Sequence, residues 1–535
     1  MSLLIYSLSQ KSLGFLLLAS ICAGHQIKAQ EGLKIVDGTI SVGANHALVV
    51  GGKIINNKAA SNFIVESDAN LVQIDNTINE GNITVYRDSP MKKNNYTYWS
   101  SPVTGQQLGA FSPNTSTSRF YQYIENTNQF GSVSTADPFI LGKGYAIMAP
   151  KTYSPETITT FKGTFVGIPN NGNGIKIQLE KGTGEFSKGF NMTGNPYPSD
   201  IDFEKLFSLS TNSDKIYQMA YFWTNVDPNR PGSVAGNRNY SGNAYAIYNG
   251  TGGSPSGGPA AAPGGGEIPT GIIKVGQGFI VKAKPASNGG EILFDNSIRL
   301  TSGNSHFFSK PGKVKDRFWL KLTTPADNVN TILIGYIQNA TNGFEYDYDS
   351  PLMVVGSDSF YSILGDMKLA IQGRAHPHLK TDFVTLGTKH FERGNYKISL
   401  GDHEGLFSEE QDVFLLDNYE KILTNLSERD YVFNSDEGEY KNRFEIVYIP
   451  QTVLGIGSPT KSGIQIFRDA LDFVVKSPEK KIVAYEVFDM SGRMIYTNKS
   501  NAKEIRFSAE GWVAGLYIIK AELEDGNRVT VKVRK

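Results

Sequence analysis

Aromatic residues between positions 217 and 248 are the side chains best suited to hold a ligand. Sugar faces stack on aromatic rings, and tyrosine and tryptophan add a hydrogen-bonding tip to a flat apolar ring. We single out Tyr221, Trp223 and Tyr245 as a candidate ligand platform. Alternating aromatic residues are also what the core of a β-sheet domain needs, so core packing is the competing interpretation. The full group is Tyr217, Tyr221, Phe222, Trp223, Tyr240, Tyr245 and Tyr248.

A second group of residues with potential chemistry is acidic. Glu345, Asp347 and Asp349 alternate with aromatic residues, so an extended chain would place three carboxylates on one face. Carboxylates and loop carbonyls supply the oxygen ligands that calcium takes in proteins. No glycine-containing calcium loop follows, and a solvated strand face opposite an aromatic core face is the alternative.

Histidines offer a weaker metal hypothesis. His376 and His378 flank Pro377, and alternate positions on an extended chain would point both imidazoles to one side. Structural zinc takes four ligands, so a polar loop is the favoured interpretation of this histidine pair. The sequence therefore predicts no resident cofactor, with calcium at the three carboxylates as the hypothesis to test.

Catalytic signatures are absent from the sequence. It contains no H-E-x-x-H, no G-x-S-x-G, no P-loop and no dinucleotide-binding G-x-G-x-x-G. We name no catalytic residue, which favours an interaction module over an enzyme. A glycan-active hydrolase stays the alternative, because a β-sandwich can bring distant carboxylates together at a separation that sequence does not reveal.

The composition bounds the class of protein and its partners. Lysine plus arginine equals aspartate plus glutamate at 52 each, which leaves no net charge to attract nucleic acid. The chain has 56 glycines, 26 tyrosines and 30 phenylalanines, a balance typical of many short strands separated by turns. We therefore expect an all-β fold, and 535 residues allow about three or four domains.

The amino-terminal residues have the layout of an export signal. Lys11 precedes an apolar run at residues 13–23, and Ala29 ends a short polar stretch. We predict a signal peptide at residues 1–29, with Ile21 before Cys22 arguing against lipid attachment. Cleavage near Ala29 would leave no cysteine in the mature chain. No later segment is apolar and long enough to predict a transmembrane helix.

Three further regions follow along the chain. At residues 30–90, short apolar clusters recur every six to ten residues between turn residues, which predicts a few coils of a β-solenoid, with ordinary hairpins as the alternative. The sequence predicts one or more β-rich domains at residues 91–310 and a β-sandwich of seven or more strands at residues 311–450. Within residues 202–209 we expect a short helix capped by Asp200 or Asp202.

The β-rich region at residues 91–310 contains a weak internal repeat. An aromatic strand at 120–123 and the segment G-K-G-Y-A-I-M at 142–148 return in order as residues 221–223 and G-Q-G-F-I-V-K at 276–282. The second copy is longer by the Gly/Pro-rich residues 249–271. Because this stretch has little apolar surface to bury, we expect a mobile loop within a domain.

The carboxyl-terminal residues 464–535 come after a glycine- and proline-containing linker at 451–463 and read as short alternating strands. They contain V-F-D-M-S-G-R at 487–493, G-L-Y at 515–517 and K-V-R-K at 532–535. This segment resembles the C-terminal (type A) sorting domain of type IX secretion cargo, an immunoglobulin-like β-sandwich. Phe488 and Trp512 depart from the pattern, and we expect both side chains to point inward. The resemblance marks as sorting residues Asp489, Gly492, Arg493, Gly515, Tyr517, Lys532 and Lys535.

The resemblance also implies where the protein acts. Such cargo crosses the inner membrane with a signal peptide, passes through the periplasm and reaches the outer surface through the type IX secretion machinery. Residues 30–90 and the region after them resemble the terminal part of repetitive surface adhesins of that class. We therefore expect a secreted or surface-displayed protein of a Gram-negative cell whose passenger is an adhesion module, and whose ligand is a surface glycan or another cell-surface molecule.

Overall fold

The structure of the protein is a computed structural model that describes residues 26–29, 31–182, 188–225, 244–258, 266–285, 290–301, 315–338, 340–353, 355–375, 382–409, 411–449, 465–469, 472–477, 480–489, 492–513 and 515–535. Strands hold 52% of the described residues and helices 7%, so the predicted all-β class is confirmed. Within these ranges, none of the helices has the length and apolar character needed to cross a membrane.

The described residues begin with a three-sided β-solenoid, as predicted. Strands β1, β4 and β7 stack in parallel on one side, β2 and β5 on the second, and β3, β6 and β8 on the third. Each strand lies opposite its counterpart one coil later, as Gln26 does opposite Ala47. The strands are β1 (Gln26–Ala29), β2 (Leu33–Ile35), β3 (Ile40–Val42), β4 (Ala47–Val50), β5 (Ile54–Asn56), β6 (Phe63–Val65), β7 (Asn70–Gln73) and β8 (Ile83–Met91).

The predicted signal peptide overlaps this solenoid. Its residues 1–25 lie outside the described residues, but its last residues, Gln26–Ala29, form β1 and pair with β4. Cleavage near Ala29 would therefore remove the first strand of the first coil.

A first lobe comes next and closes the open end of the solenoid. Its last strand, β14, runs antiparallel to β8 and so ends the parallel stack. Solenoid and lobe share one apolar core, in which Val85 and Phe165 are fully buried. The elements are β9 (Tyr96–Trp99), β10 (Val103–Thr104), α1 (Leu108–Phe111), β11 (Phe120–Ile124), β12 (Gln129–Ser132), β13 (Tyr145–Met148) and β14 (Thr159–Pro169).

A second lobe has its own core around Phe203 and Phe279. The predicted short helix is confirmed as α2, because the Asp202 side chain accepts hydrogen bonds from the backbone N–H groups of Glu204 (2.9 Å) and Lys205 (3.1 Å). The elements are β15 (Ile175–Gln178), β16 (Phe190–Gly194), β17 (Ile201–Asp202), α2 (Phe203–Ser208), α3 (Asn212–Lys215), β18 (Ile216–Trp223), β19 (Tyr245–Asn249), β20 (Gly253–Ser254), β21 (Ile272–Ile273), β22 (Gly278–Ala283) and β23 (Glu291–Phe294).

The two lobes are structural repeats of each other. The order β12-β11-β13-β9 in the first lobe returns as β19-β18-β22-β16 in the second, and the flanking pair β8 and β14 returns as β15 and β23. Contacts between the lobes are exchanged in the same way: Ser100 N–H donates to Gly276 O (3.0 Å) and Gly194 N–H donates to Gly142 O (2.9 Å). The weak repeat in the sequence is therefore a duplicated β-fold with a pseudo-twofold junction.

A barrel-like domain forms from one sheet that curls around one core. Its strand order is β32-β31-β34-β29-β27-β28-β25-β24-β30-β33, with β26 paired to β28. The end strands come back together, since Tyr431 Oη on β33 donates to Asp417 Oδ2 on β31 (2.8 Å). The elements are β24 (Asp316–Thr323), β25 (Val329–Tyr336), β26 (Ser350–Pro351), β27 (Ser359–Leu364), β28 (Met367–Arg374), β29 (Phe383–His390), β30 (Gly394–Glu404), α4 (Leu406–Glu409), β31 (Phe414–Asp417), β32 (Ile422–Asn425), β33 (Tyr431–Ser435) and β34 (Gly438–Val447).

The carboxyl-terminal domain is a two-sheet β-sandwich with its own core. The sheets have the orders β35-β36-β39 and β38-β37-β40-β41. The domain contacts the barrel-like domain through Val474, which packs with Phe414, and through an ion pair between Arg506 and Glu428 (3.2 Å). The strands are β35 (Gln465–Asp469), β36 (Asp472–Lys476), β37 (Ile482–Asp489), β38 (Met494–Ala502), β39 (Glu504–Ser508), β40 (Leu516–Leu523) and β41 (Arg528–Arg534).

Candidate functional site

The predicted ligand platform is wrong at Tyr221, because this residue lies in the interior. Its side chain is 1% exposed, its ring meets the edge of Phe190, and its hydroxyl donates to Pro351 O (3.3 Å). The barrel-like domain covers this face of the second lobe, with Trp319 and Leu333 in the same apolar cluster. Strand β18 is therefore buried on both faces, which explains its nearly continuous apolar sequence.

Trp223 and Tyr245 are partly buried and join the two lobes. The Trp223 ring stacks on Tyr98 of the first lobe, with 5.6 Å between ring centroids. The hydroxyls of Tyr98 and Tyr245 share a hydrogen bond of 2.6 Å. Burial raises the pKa of Tyr245 to about 12, so its hydroxyl stays protonated. These two residues hold the junction of the lobes and do not form a platform with Tyr221.

The equivalent face of the first lobe is partly exposed. Strand register aligns the lobes: Tyr121 lies opposite Ala146 as Tyr221 lies opposite Ile280, and Tyr123 pairs with Phe130 as Trp223 pairs with Tyr245. Tyr96, Tyr121 and Tyr123 are partly exposed, and Phe130 is 39% exposed. We define the first-lobe aromatic face as Tyr96, Tyr121, Tyr123 and Phe130.

The first-lobe aromatic face differs from its covered counterpart in the residues between the rings. By the same register, Arg119, Ser132 and Ala146 stand where the second lobe has Met219, Ile247 and Ile280. The Arg119 guanidinium is exposed and lies beside the Tyr121 hydroxyl (3.5 Å). The sequence prediction missed this face, although the internal repeat and the aromatic strand at 120–123 carried the information needed to find it.

The three predicted calcium ligands do not come together as a group in the structure, and calcium binding there stays a prediction. The chain turns at residues 346–348 and does not extend. Glu345 accepts from the Thr341 N–H (2.6 Å), Asp347 accepts from the Gln218 N–H (3.2 Å), and Asp349 lies buried. The three carboxylates thus accept hydrogen bonds from backbone N–H groups of different residues. Among the described residues, no group of three or more acidic, histidine or cysteine side chains is arranged to hold a metal ion.

Asp349 is a buried carboxylate that organises the turn. It accepts hydrogen bonds from the N–H groups of Glu345 (2.7 Å) and Gly373 (2.9 Å). Burial nevertheless raises its pKa to about 7, because the loss of hydration outweighs these two donors. The turn packs on the second lobe, where Tyr346 stacks on Tyr217 at 4.0 Å. His376 and His378, the other predicted metal ligands, lie outside the described residues.

The Gly/Pro-rich stretch was predicted to be mobile, which is wrong for residues 249–258. They are wedged between the second lobe and the barrel-like domain, where residues 251–258 are buried. Their backbone polar groups find partners there: Trp319 Nε1 donates to Gly253 O (2.8 Å), and Gly258 N–H donates to Val329 O (2.9 Å). A Cβ on Gly253 would lie 2.1 Å from Pro269 O, so only glycine allows this close approach.

The sorting residues close turns and edges in the carboxyl-terminal domain. Asp489 accepts from the Arg493 N–H (3.0 Å) and pairs with its guanidinium (3.1 Å), and Gly492 in that turn has a positive φ. Gly515 and Lys535 exchange backbone hydrogen bonds of 3.2 and 2.8 Å. The buried Tyr517 donates its hydroxyl to Val513 O (2.5 Å), a contact like the tyrosine corner of immunoglobulin folds.

The two departures from the sorting pattern have different surroundings. Trp512 packs against Phe473 and Tyr517 at the margin of the core, as expected. Phe488 does not point inward, because its neighbour Val487 takes the core position and the Lys520 ammonium lies over the Phe488 ring (4.6 Å). The side chain of Lys532 lies outside the described residues.

Comparison with known proteins places this architecture in a family. The family model described as "Domain of unknown function (DUF8693)" matches residues 20–448, which is most of the chain. The chain belongs to the DUF8693 family. A second model, "Domain of unknown function (DUF8694)", matches residues 454–534, the carboxyl-terminal sandwich of this DUF8693 protein.

Comparisons with curated proteins and solved structures add little. No curated protein matches the chain. Among solved structures, a DUF3244 family protein with an immunoglobulin-like β-sandwich fold from Bacteroides vulgatus is 22% identical, with a TM-score of 0.13. The match covers 14% of this chain and 84% of that one.

Proposed function

We propose that the chain is cargo of type IX secretion, exported by its carboxyl-terminal domain, and that its passenger is an interaction module on the outer cell surface. The observation that carries the proposal is the agreement between the sorting pattern and the physical role of its residues. Asp489 and Arg493 close the D-x-x-G-R segment with a hydrogen bond and an ion pair, and the G-x-Y segment places Tyr517 on the core.

The edges of the carboxyl-terminal sandwich support a recognition role. Among the described residues, the four-stranded sheet has two edge strands, β38 and β41. Strand β41 pairs with β40 on one side only. An edge strand offers unpaired backbone groups to which a partner strand adds by β-augmentation. We therefore propose that the secretion machinery reads this edge and that Lys535, whose backbone pairs with Gly515, completes it.

Export is tested by deleting residues 464–535 and fractionating cells that produce the truncated chain. The expected result is a passenger that accumulates in the periplasm in a protease-resistant form. Normal surface display of the truncated chain would contradict the proposal. The Gly492→Val variant, which strains a position with φ of 83°, should weaken display, while Arg393→Gln at an exposed ion pair of the barrel-like domain should leave it unchanged.

A further inference from the structure

The two lobes share ring positions but differ in the chemistry between the rings. In the second lobe, Met219, Ile247 and Ile280 fill the spaces between aromatic side chains, and the barrel-like domain buries them all. The packed barrel-like domain excludes water from these aliphatic side chains, and removal of apolar surface from water is favourable. This is the surface expected where the permanent occupant is another protein domain.

The first-lobe aromatic face has another character. At the same three positions it carries Arg119, Ser132 and Ala146, so each large aliphatic side chain is replaced by a charged, a hydroxyl or a small one. The rings of Tyr96 and Tyr121 meet edge to face at 5.9 Å, and Tyr123 and Phe130 meet at 5.5 Å. The result is a set of flat rings with hydroxyl, guanidinium and amide groups around them.

The polar groups around the rings are held in place. Tyr123 Oη donates to Asn128 Oδ1, and Arg119 Nη1 lies within reach of the Tyr121 hydroxyl. The face is continuous with the lobe junction, because Tyr98 contacts both Phe130 and Trp223. Since that junction fixes Tyr98 and its neighbours, the rings are pre-organised for binding, which lowers the entropy cost of ordering them.

We infer that the first-lobe aromatic face binds a carbohydrate chain. A sugar ring presents an apolar C–H face and a rim of hydroxyls, which matches rings whose margins carry hydroxyl and guanidinium groups. A second protein copy would fit less well, because an interface would remove water from Arg119 and Ser132 and would have to supply hydrogen-bond partners for both. This inference rests on the proposed interaction function and adds the class of ligand to it.

The test is binding of the purified protein to defined hexasaccharides. The probes are linear hexamers of glucose, xylose, mannose, N-acetylglucosamine and galacturonic acid, measured by titration calorimetry. We expect at least one to bind, and Tyr121→Ala and Tyr123→Ala each to weaken that binding about tenfold. The matched control is Tyr419→Ala, which removes an exposed tyrosine, 59% exposed, from the barrel-like domain and should leave binding unchanged.

Three outcomes with the purified protein would overturn the inference. These are no binding to any hexamer, binding that survives loss of both tyrosines, and self-association that Tyr121→Ala abolishes. Melting temperatures of the variants, together with retained binding by Tyr121→Phe, separate loss of stacking from misfolding. Because purified protein needs no export, a failed export test leaves this result standing. Adhesion of whole cells that survives both substitutions would refute the carbohydrate face and keep the interaction function.

Discussion

The first and second lobes have the same strand order, but the equivalent aromatic face is partly exposed in the first lobe and buried in the second. Tyr121 and Tyr221 occupy equivalent positions, yet Tyr121 is partly exposed and Tyr221 is 1% exposed beneath the barrel-like domain. The residues around the rings differ as well, since Ile247 in the second lobe gives way to the exposed Ser132 in the first, and Ile280 gives way to the buried Ala146. An aromatic strand alone therefore does not predict a binding surface, because its neighbours decide whether a protein domain or water covers it.

The largest difference between the lobes should appear when the equivalent rings are removed. Tyr221→Ala should lower the free energy of unfolding by about 3 to 5 kcal/mol, because it leaves a cavity between two packed sheets. Tyr121→Ala should lower it by about 1 to 2 kcal/mol, because its ring is only partly buried. Urea denaturation measures both, and equal losses would contradict the assignment of one covered and one open face.

The second test exchanges the residues between the rings. Ile247→Ser buries a hydroxyl in place of an aliphatic side chain and should cost about 2 to 4 kcal/mol. The matched change in the first lobe, Ser132→Ile, should alter stability by less than about 0.5 kcal/mol, because that position is exposed. Limited proteolysis should also show faster cleavage between the second lobe and the barrel-like domain in Ile247→Ser. Equal effects at the two sites would refute the comparison.

Much of the fold could be predicted because short-range rules decide it. The regular apolar clusters before Val85 predicted the solenoid, and the Asp202 side chain predicted the start of α2. The curled sheet of the barrel-like domain could not be predicted in the same way. Its closure depends on contacts such as that between Tyr431 on the end strand β33 and Asp417 on β31, the strand next to the other end of the sheet.

The candidate sites were harder to predict than the fold. Glu345, Asp347 and Asp349 alternate as in a strand, but their own carboxylates accept backbone N–H groups and so favour a turn. The sequence around Tyr221 does not reveal that the barrel-like domain covers this residue. Sequence pattern reports on local structure, whereas exposure depends on which domains pack together.

A third test uses pH to probe the face of the second lobe that is covered. Asp349 supports the turn on that lobe, and its pKa is about 7 when folded against 3.8 as the ordinary value. The stabilising contribution of the protonated carboxyl is complete below pH 3.8 and is lost as the pH rises through 7. Stability should therefore fall over this window by about 2 to 4 kcal/mol, and Asp349→Asn should flatten the slope.

The slope must be compared between variants, because a second buried group acts in the opposite direction. Burial lowers the pKa of His390 to about 4, so its contribution to stability is lost as the pH falls from 6.5 through 4. Wild type and Asp349→Asn share His390, so the difference between their curves isolates Asp349. Parallel curves from pH 4 to pH 8 would contradict the raised pKa.

The smallest expected effect concerns the junction of the two lobes, where the hydroxyls of Tyr98 and Tyr245 share a hydrogen bond. Tyr98→Phe leaves the Tyr245 hydroxyl without the 2.6 Å partner and should cost about 1 kcal/mol. Tyr245→Phe should cost a similar amount, while the double variant should cost less than the two together, because both partners are then apolar. A double-mutant cycle by urea denaturation measures this coupling. Additive losses would contradict an energetic coupling between the Tyr98 and Tyr245 hydroxyls across the junction.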